Sequence, residues 1–238
     1  MVEWFRYYDE SDQWNSTAET GDSFDGSLKT ERFSDLATIH KPETDRYHRV
    51  MSATDTRIAE LAAGLFHEHG IGATGVEALS KAAGISKRTL YERFGNKDGL
   101  IAAAFTALDD PVFERFTKPA ECAPTPRAQI ELLFAGLEAA IGTPEFRGCP
   151  FTNACSELAD PDHPAHAVVR QHKDRFRRWF LSRAREAGAA DPALLARQLV
   201  IVQEGIQSEA LIQRSTKPAR DGRRLVSALL DATLSTPS

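Results

Sequence analysis

The chain has 238 residues, 42% hydrophobic and 26% charged, an ordinary globular composition long enough for one or two domains with a sizeable core. No apolar run approaches the ~20 residues that span a bilayer, and no basic-then-apolar leader opens the chain, so a cytoplasmic protein is expected. The net charge of −5 is concentrated at one end: residues 1–48 hold 5 Lys/Arg and 11 Asp/Glu, a net of −6, which leaves +1 for the remainder and room for a local basic face.

Residues 1–50 read as an acidic extension outside the fold. Trp4, Phe5, Tyr7, Tyr8, Trp14, Phe24 and Phe33 lie among Asp, Ser, Thr and Gly with no sustained period of 2 or 3.6. The segment is expected to be mostly disordered, with one short helix near Leu28–Ile39. Met51 opens an ordinary-looking first helix, which leaves two readings: a start assigned too far upstream, or a genuine acidic arm that docks on a partner.

Residues 51–98 read as a helix-turn-helix domain. Ile58, Leu61, Ala62, Leu65 and Phe66 recur at i, i+3, i+4 and i+7 and predict a helix over Thr54–His69, ended by Gly70 and Gly72. Thr74 and Glu77 have the spacing of a capping box for a second helix, Val76–Ala83, with Val76, Leu79 and Ala83 on its buried face. Gly84 suits the left-handed turn at a helix end, and Ser86 caps a third helix that turns Leu90 and Phe94 inward. Two short helices joined in this way place the second in the DNA major groove.

The first turn of that third helix carries Lys87, Arg88 and Thr89, where a docked recognition helix reaches base edges. Arg or Lys donates to guanine, and Thr offers a methyl to thymine or a hydroxyl to phosphate. Ser86, Tyr91 and Arg93 flank them, with Tyr91 expected on a phosphate. Lys97 follows Asn96, the cap of a fourth helix, and adds a cation to free N–H donors in the manner of a phosphate clamp. Together with Thr74 these residues form the expected DNA-binding set, and duplex operator DNA is the expected partner.

The stretch ALSKAAGISKRTLYERFGNKDGLIAAAF, residues 78–105, resembles the DNA-binding segment of TetR/AcrR-type transcriptional regulators. The resemblance rests on the Ala-Gly-Ile-Ser turn, the Thr-Leu-Tyr triplet at 89–91, Phe94 and the Asn-Lys-Asp-Gly-Leu start of the next helix, and extends upstream through RIAELAAGLFHEHGIGATGVE. It implies an all-helical homodimer whose second domain, residues 99–238, binds a small-molecule effector and loosens the grip on DNA. It does not identify the effector.

That second part is also read as wholly helical, giving an all-α chain. Leu100, Ile101, Ala104, Phe105 and Leu108 predict the fourth helix, and Pro111 leaves open whether it runs on through Phe113 and Phe116 or breaks. Pro119, Pro124 and Pro126 mark a connection. Thr125–Pro126 starts a helix bearing Ile130, Leu133, Phe134, Leu137 and Ile141. After a loop at Gly142–Pro150, helices are expected over Thr152–Ala159, Pro164–Ala187 and Ala193–Gln213, and from Pro218 to about Leu234. Leu195, Leu199, Val202, Ile206, Ala210, Leu225, Leu229 and Leu230 exceed what one small core needs, which, with the family resemblance, points to a four-helix bundle shared by two subunits and a palindromic operator; the alternative is that they pack only within the monomer.

An effector pocket is expected among the helices beginning near Thr125, Thr152, Pro164 and Ala193. Phe134, Leu137, Phe151, Phe176, Trp179 and Phe180 are its candidate walls, although an aromatic in such a helix is more often plain core. Asn153, His172, Gln203 and Gln207 are the candidate polar contacts. Cys149, in RGCPFTNACSE near Arg147 and a helix start, reads either as a sensor of oxidants or electrophiles or as a small buried residue at a tight turn. Cys122, Cys149 and Cys155 form no paired disulfide framework, and the local Cys/His spacing matches no standard zinc pattern, so neither metal nor cofactor is expected.

The functional expectation is a transcriptional repressor that a small molecule releases from its operator. The alternatives are an effector-independent or activating regulator, or a cysteine-dependent enzyme. The chain holds no G-x-S-x-G, no H-E-x-x-H and no Gly-rich phosphate loop, so an enzyme is not expected.

Overall fold

A computed structural model describes residues 51–234; the expectations for residues 1–50 lie outside the described residues. Those described form nine helices: α1 (Ala53–His69), α2 (Val76–Ala83), α3 (Lys87–Phe94), α4 (Lys97–Ala120), α5 (Pro126–Ile141), α6 (Pro150–Glu157), α7 (Ala165–Glu186), α8 (Pro192–Gln213) and α9 (Lys217–Thr233). The architecture is all-α. A single antiparallel bridge, Ala189 to Leu234, ties the turn before α8 to the end of α9. No helix of the described residues is long and apolar enough to cross a membrane.

Local capping sets most of the boundaries. Ser52, Ser86, Asn96, Thr125 and Asp191 each accept a hydrogen bond from a first-turn backbone N–H, satisfying donors that the helix leaves free. Gly84 ends α2 in the left-handed conformation (φ 67°), which turns the chain directly into α3. The Thr74–Glu77 capping box does not form. Gly75 takes the cap position without a side-chain bond, and the Thr74 hydroxyl donates instead to the Gly70 carbonyl at 2.6 Å.

Helix α4 runs unbroken through Pro111. Proline removes one helical hydrogen bond, and packing on both sides of it compensates. Upstream, Asp109 accepts from His172 Nδ1 and from Arg175, each at 2.6 Å. Downstream, Phe113 meets Phe176 edge-on and lies under the Arg175 guanidinium at 4.2 Å. Helix α6 begins two residues before the expected Thr152, because Pro150 fits a first-turn position that needs no N–H donor.

The buried side chains form two cores. One gathers Ile58, Phe66, Leu79, Leu90, Leu100 and Phe105 from α1–α4, and adds Phe151 and Ala154 of α6 and Val169 of α7. The other joins α5, α7, α8 and α9 through Ile130, Leu133, Phe134, Phe180, Leu199 and Leu230. Leu195, Leu199, Ile206, Ala210 and Leu230 are therefore interior residues of the single chain, a correction to their expected place between subunits. Of the expected set Leu225 (50%) is exposed, and with it α8 leaves Ile201 (69%) and Ile212 (72%) exposed, which the expectation did not include. At the first core, Gly99 admits the closest approach: a Cβ there would lie 2.1 Å from the Phe94 carbonyl oxygen. That contact is backbone, so it cannot yield by a rotamer change. It seats the end of α3 against the start of α4.

Two outcomes follow. Gly99→Ala will destabilise the fold by about 1–3 kcal/mol, as overpacking does, and will displace α3; a thermal melt that matches the unsubstituted chain contradicts this. The second concerns pH. Burial pushes the His172 imidazole below its ordinary range, despite the opposing pull of Asp109. Burial also opposes the Asp109 charge, but the bonds from His172 and Arg175 outweigh it and hold that carboxyl below its usual range. Both groups bind protons more readily when unfolded, so stability falls as pH drops, first through the ordinary histidine range near about 6.5 and then through the carboxylate range. Melting temperature should decline from pH 7.5 to 5.5, and His172→Gln should flatten that decline.

Candidate functional site

Helix α3 stands on Leu90, which is 1% exposed, and half-buried Phe94 packs with it on the first core. This fixes the rotation of the helix and therefore which side chains face outward. Ser86, Lys87, Arg88 and Tyr91 are exposed and Thr89 is half-buried, along the first turn and one side. Ser86 is fully engaged as the cap: its hydroxyl accepts from the Thr89 N–H at 3.0 Å and lies 2.9 Å from Thr89 Oγ1. Lys87 pairs with Glu77 of α2. Arg88, whose side chain is 88% exposed, pairs with Glu92 one turn on at 2.8 Å. Exposed pairs of this kind contribute about 0–1 kcal/mol, less than the roughly 1–3 kcal/mol of a bidentate base contact. Pairs this weak leave both cations free to exchange their carboxylates for another anion.

The other expected contacts sit differently. Arg93 reaches back to Asp55 of α1 at 2.7 Å. A hydrogen bond from Ser52, and then Arg93, outweigh partial burial and hold the Asp55 carboxyl below its usual range. Arg93 thus braces α3 against α1. Lys97, half-buried at the start of α4, donates to the Ile71 carbonyl at 2.9 Å and keeps two N–H groups beside the helix N-terminus. Thr74 is corrected: it is 3% exposed with its hydroxyl directed inward, so it presents nothing to a phosphate.

A cavity of about 510 Å³ lies between α1, α4, α5, the loop before α6, α7 and α8, a size ordinary for a small-molecule site. Of the expected lining, Leu137, Cys149, His172, Phe176, Gln203 and Gln207 do border it. Phe134, Phe151 and Trp179 do not. Phe134 stacks on Phe180 in the second core, Phe151 stacks on His172 at 3.6 Å, and Trp179 donates its Nε1–H to Glu121. Asn153 borders a neighbouring groove of about 870 Å³ instead, and its amide donates to the Arg147 carbonyl at 2.7 Å. That groove is larger, and His69, Arg147, Glu157 and Arg214 share its lining with Phe66, Phe105, Ile141 and Phe146, so it is more polar and charged than the first cavity.

Sequence reasoning missed Lys173, Val112 and Phe116 of the cavity wall. Lys173 was findable: with Val169 and Phe176 it keeps the i, i+4, i+7 spacing of the buried face of α7. It also missed Glu157. This carboxylate, at the end of α6, accepts from the Ile71 and Gly72 backbone N–H groups at 2.7 and 3.0 Å. It thereby grips the turn between α1 and α2, and no local pattern signals a partner 86 residues away. Among the described residues, no group of three or more His, Cys, Asp or Glu could hold a metal ion.

Comparison with known proteins bears on this arrangement. Residues 58–104 match the family model of bacterial regulatory proteins of the tetR family. A TetR-type transcriptional regulator from Streptomyces avermitilis has a solved structure that is 37% identical and superposes with a TM-score of 0.70 over 76% of this chain and 98% of its own. A TetR-family regulator from Streptomyces coelicolor is 26% identical, with a TM-score of 0.69 over 81% and 96%. The Escherichia coli HTH-type transcriptional regulator YjdC is 25% identical over 168 residues, 70% of this chain and 87% of its own. With its matched helix-turn-helix and its likeness over nearly the whole length of a 37% identical relative, the chain belongs to the TetR family of DNA-binding transcriptional regulators.

Proposed function

We propose that the protein is a homodimeric repressor that a small molecule releases from a palindromic operator. The observation that carries the DNA-reading part is the rotation of α3, which turns Lys87, Arg88, Thr89 and Tyr91 outward from a helix wedged on Leu90 and Gly99. Lys87 and Arg88 read bases, Thr89 and Tyr91 position the helix on phosphates, and Lys97 clamps the backbone at the α4 N-terminus. Residues 51–98 act as the DNA-binding unit and 99–238 as the effector and dimer unit, working in the cytoplasm where the operator lies. The apolar side chains exposed on α8 and α9, Ile201, Ile212 and Leu225, would be covered by the same helices of a second copy.

The regulatory part rests on connectivity. The cavity is bordered at once by Gly64 and His67 of α1, by α4, and by Cys149 at the start of α6. The opposite end of α6 carries Glu157, which holds the α1–α2 turn. A ligand that fits the cavity better in one disposition of these helices than in another shifts the spacing of the two recognition helices, by no more than that difference in affinity.

Three measurements test this. In a mobility-shift assay on the DNA upstream of its own gene, the protein should bind specifically, and candidate small molecules should release it; absence of any sequence-selective complex contradicts the reading. Arg88→Ala should cost about 1–3 kcal/mol on cognate DNA and much less on random DNA. Lys97→Ala should weaken both alike and lower the salt slope by about one, and equal losses for the two variants on both DNAs contradict the roles given. Glu157→Gln keeps the shape of the side chain but weakens the charge-assisted bonds to Ile71 and Gly72. It should leave operator affinity within about threefold, a factor worth well under 1 kcal/mol, and blunt ligand-induced release. Full release by ligand in this variant contradicts the coupling.

A further inference from the structure

The cavity wall holds a nucleophile together with an acid. Lys173 Nζ donates to Cys149 Sγ at 3.1 Å and lies 2.5 Å from Glu204 Oε1. Glu204 is fixed in turn by the Thr152 hydroxyl, which donates to its other oxygen at 2.7 Å. Three helices thus press one amine against one sulfur. Burial works against the Lys173 charge, but the Cys149 sulfur and the Glu204 carboxylate outweigh it, so the group remains an ammonium. On the same cavity, Gln203 is 5% exposed. Its backbone carbonyl accepts from Gln207, but its own amide has no hydrogen-bond partner among the described residues. The amide keeps access to the cavity it lines, where a ligand carbonyl can accept from it.

An apolar cavity that offers a thiol, an ammonium and a free amide fits a ligand whose carbonyl is conjugated to a carbon–carbon double bond. We infer that Cys149 is a covalent capture site for α,β-unsaturated carbonyl compounds, with Lys173 as its acid and Gln203 donating to the carbonyl. The sulfur forms a bond to the β-carbon, and the alkene π pair moves onto the α-carbon and carbonyl oxygen as an enolate. Lys173 gives a proton to the α-carbon, and the thiol proton replaces it on the amine. One S–H and one C=C π bond are consumed, one S–C and one C–H bond form, and nothing is oxidised, reduced or expelled. The adduct stands at the N-cap of α6, so its regulatory consequence rests on the effector-release reading above; the capture chemistry does not.

The test uses the full chain with benzylideneacetone and its saturated analogue, benzylacetone, followed by peptide mass mapping and a DNA mobility shift. Cys149, although buried, should gain the enone mass at least about tenfold faster than the exposed Cys122 and Cys155, a modest share of what a placed acid can contribute. Lys173→Met should abolish that advantage, Lys173→Arg, which keeps the charge but does not release a proton, should lose most of it, and Cys149→Ser should remove the label from this peptide. Labelling of Cys149 no faster than Cys122, or labelling indifferent to Lys173→Met in a variant with an unchanged melting curve, overturns the inference. Labelled Cys149 with unchanged DNA affinity upholds the capture site and removes the effector-release reading. Release by benzylacetone with no preferential labelling of Cys149 by the enone overturns the capture site and leaves that reading standing.

Discussion

The Glu157 carboxylate, held between two backbone N–H groups of the turn after α1, is the contact on which the proposed coupling depends. Backbone donors at a turn are fixed in space, so a carboxylate that accepts from two of them transmits position as well as energy. Helix α6 is only eight residues long. Its start borders the cavity at Cys149, and its end holds the domain that carries α3. Phe151 and Ala154, between those ends, are packed in the same core as Leu79, Leu90 and Leu100. The first core therefore crosses the sequence boundary near residue 98. What looks along the chain like a DNA-binding unit followed by an effector unit is, in its packing, a helix-turn-helix with part of the second unit driven into it.

Helix α4 supplies the second connection. It begins against the Phe94 carbonyl at Gly99, passes the cavity, and is pinned to α7 by Asp109 with His172 and Arg175. A proline lies between these pins and the Phe113–Phe176 contact, and the helix holds its course because both flanks are fixed. Displacement of either flank would act on a helix that already lacks one internal hydrogen bond at Pro111. The cavity is bounded by this weakened stretch, which includes Leu108, Pro111, Val112 and Phe116.

The legibility of these features in the sequence follows physical range. Helix positions were readable wherever the signal was local. Ser86, Asn96, Thr125 and Asp191 cap where their side chains reach a first-turn N–H, and the apolar spacing of α1 through α5 matches the faces that are buried. Thr74 misled because its hydroxyl had a second local acceptor, the Gly70 carbonyl, which a spacing pattern cannot weigh against a cap. The cavity was half legible. Gln203 stood out as a polar group inside the apolar helix α8, whereas Phe134, Phe151 and Trp179 carried no mark separating pocket wall from core. Leu195 and Leu199 were assigned to a subunit interface because the apolar content of α8 is visible in sequence but its rotation about its own axis is not. Glu157, Lys173 and Asp109 act through partners on other helices, and sequence alone gives no distance between helices.

The central claim is that α3, presented twice by a symmetric pair, reads duplex DNA through the face containing Lys87 and Arg88. Footprinting of the full-length protein on genomic DNA addresses it most directly. The account predicts protected sites built as inverted repeats, with half-sites separated by about one helical turn or a whole multiple of it, and with purine contacts confined to the major groove of each half. Protection without sequence preference, or a single asymmetric half-site bound as tightly as the repeat, would contradict it.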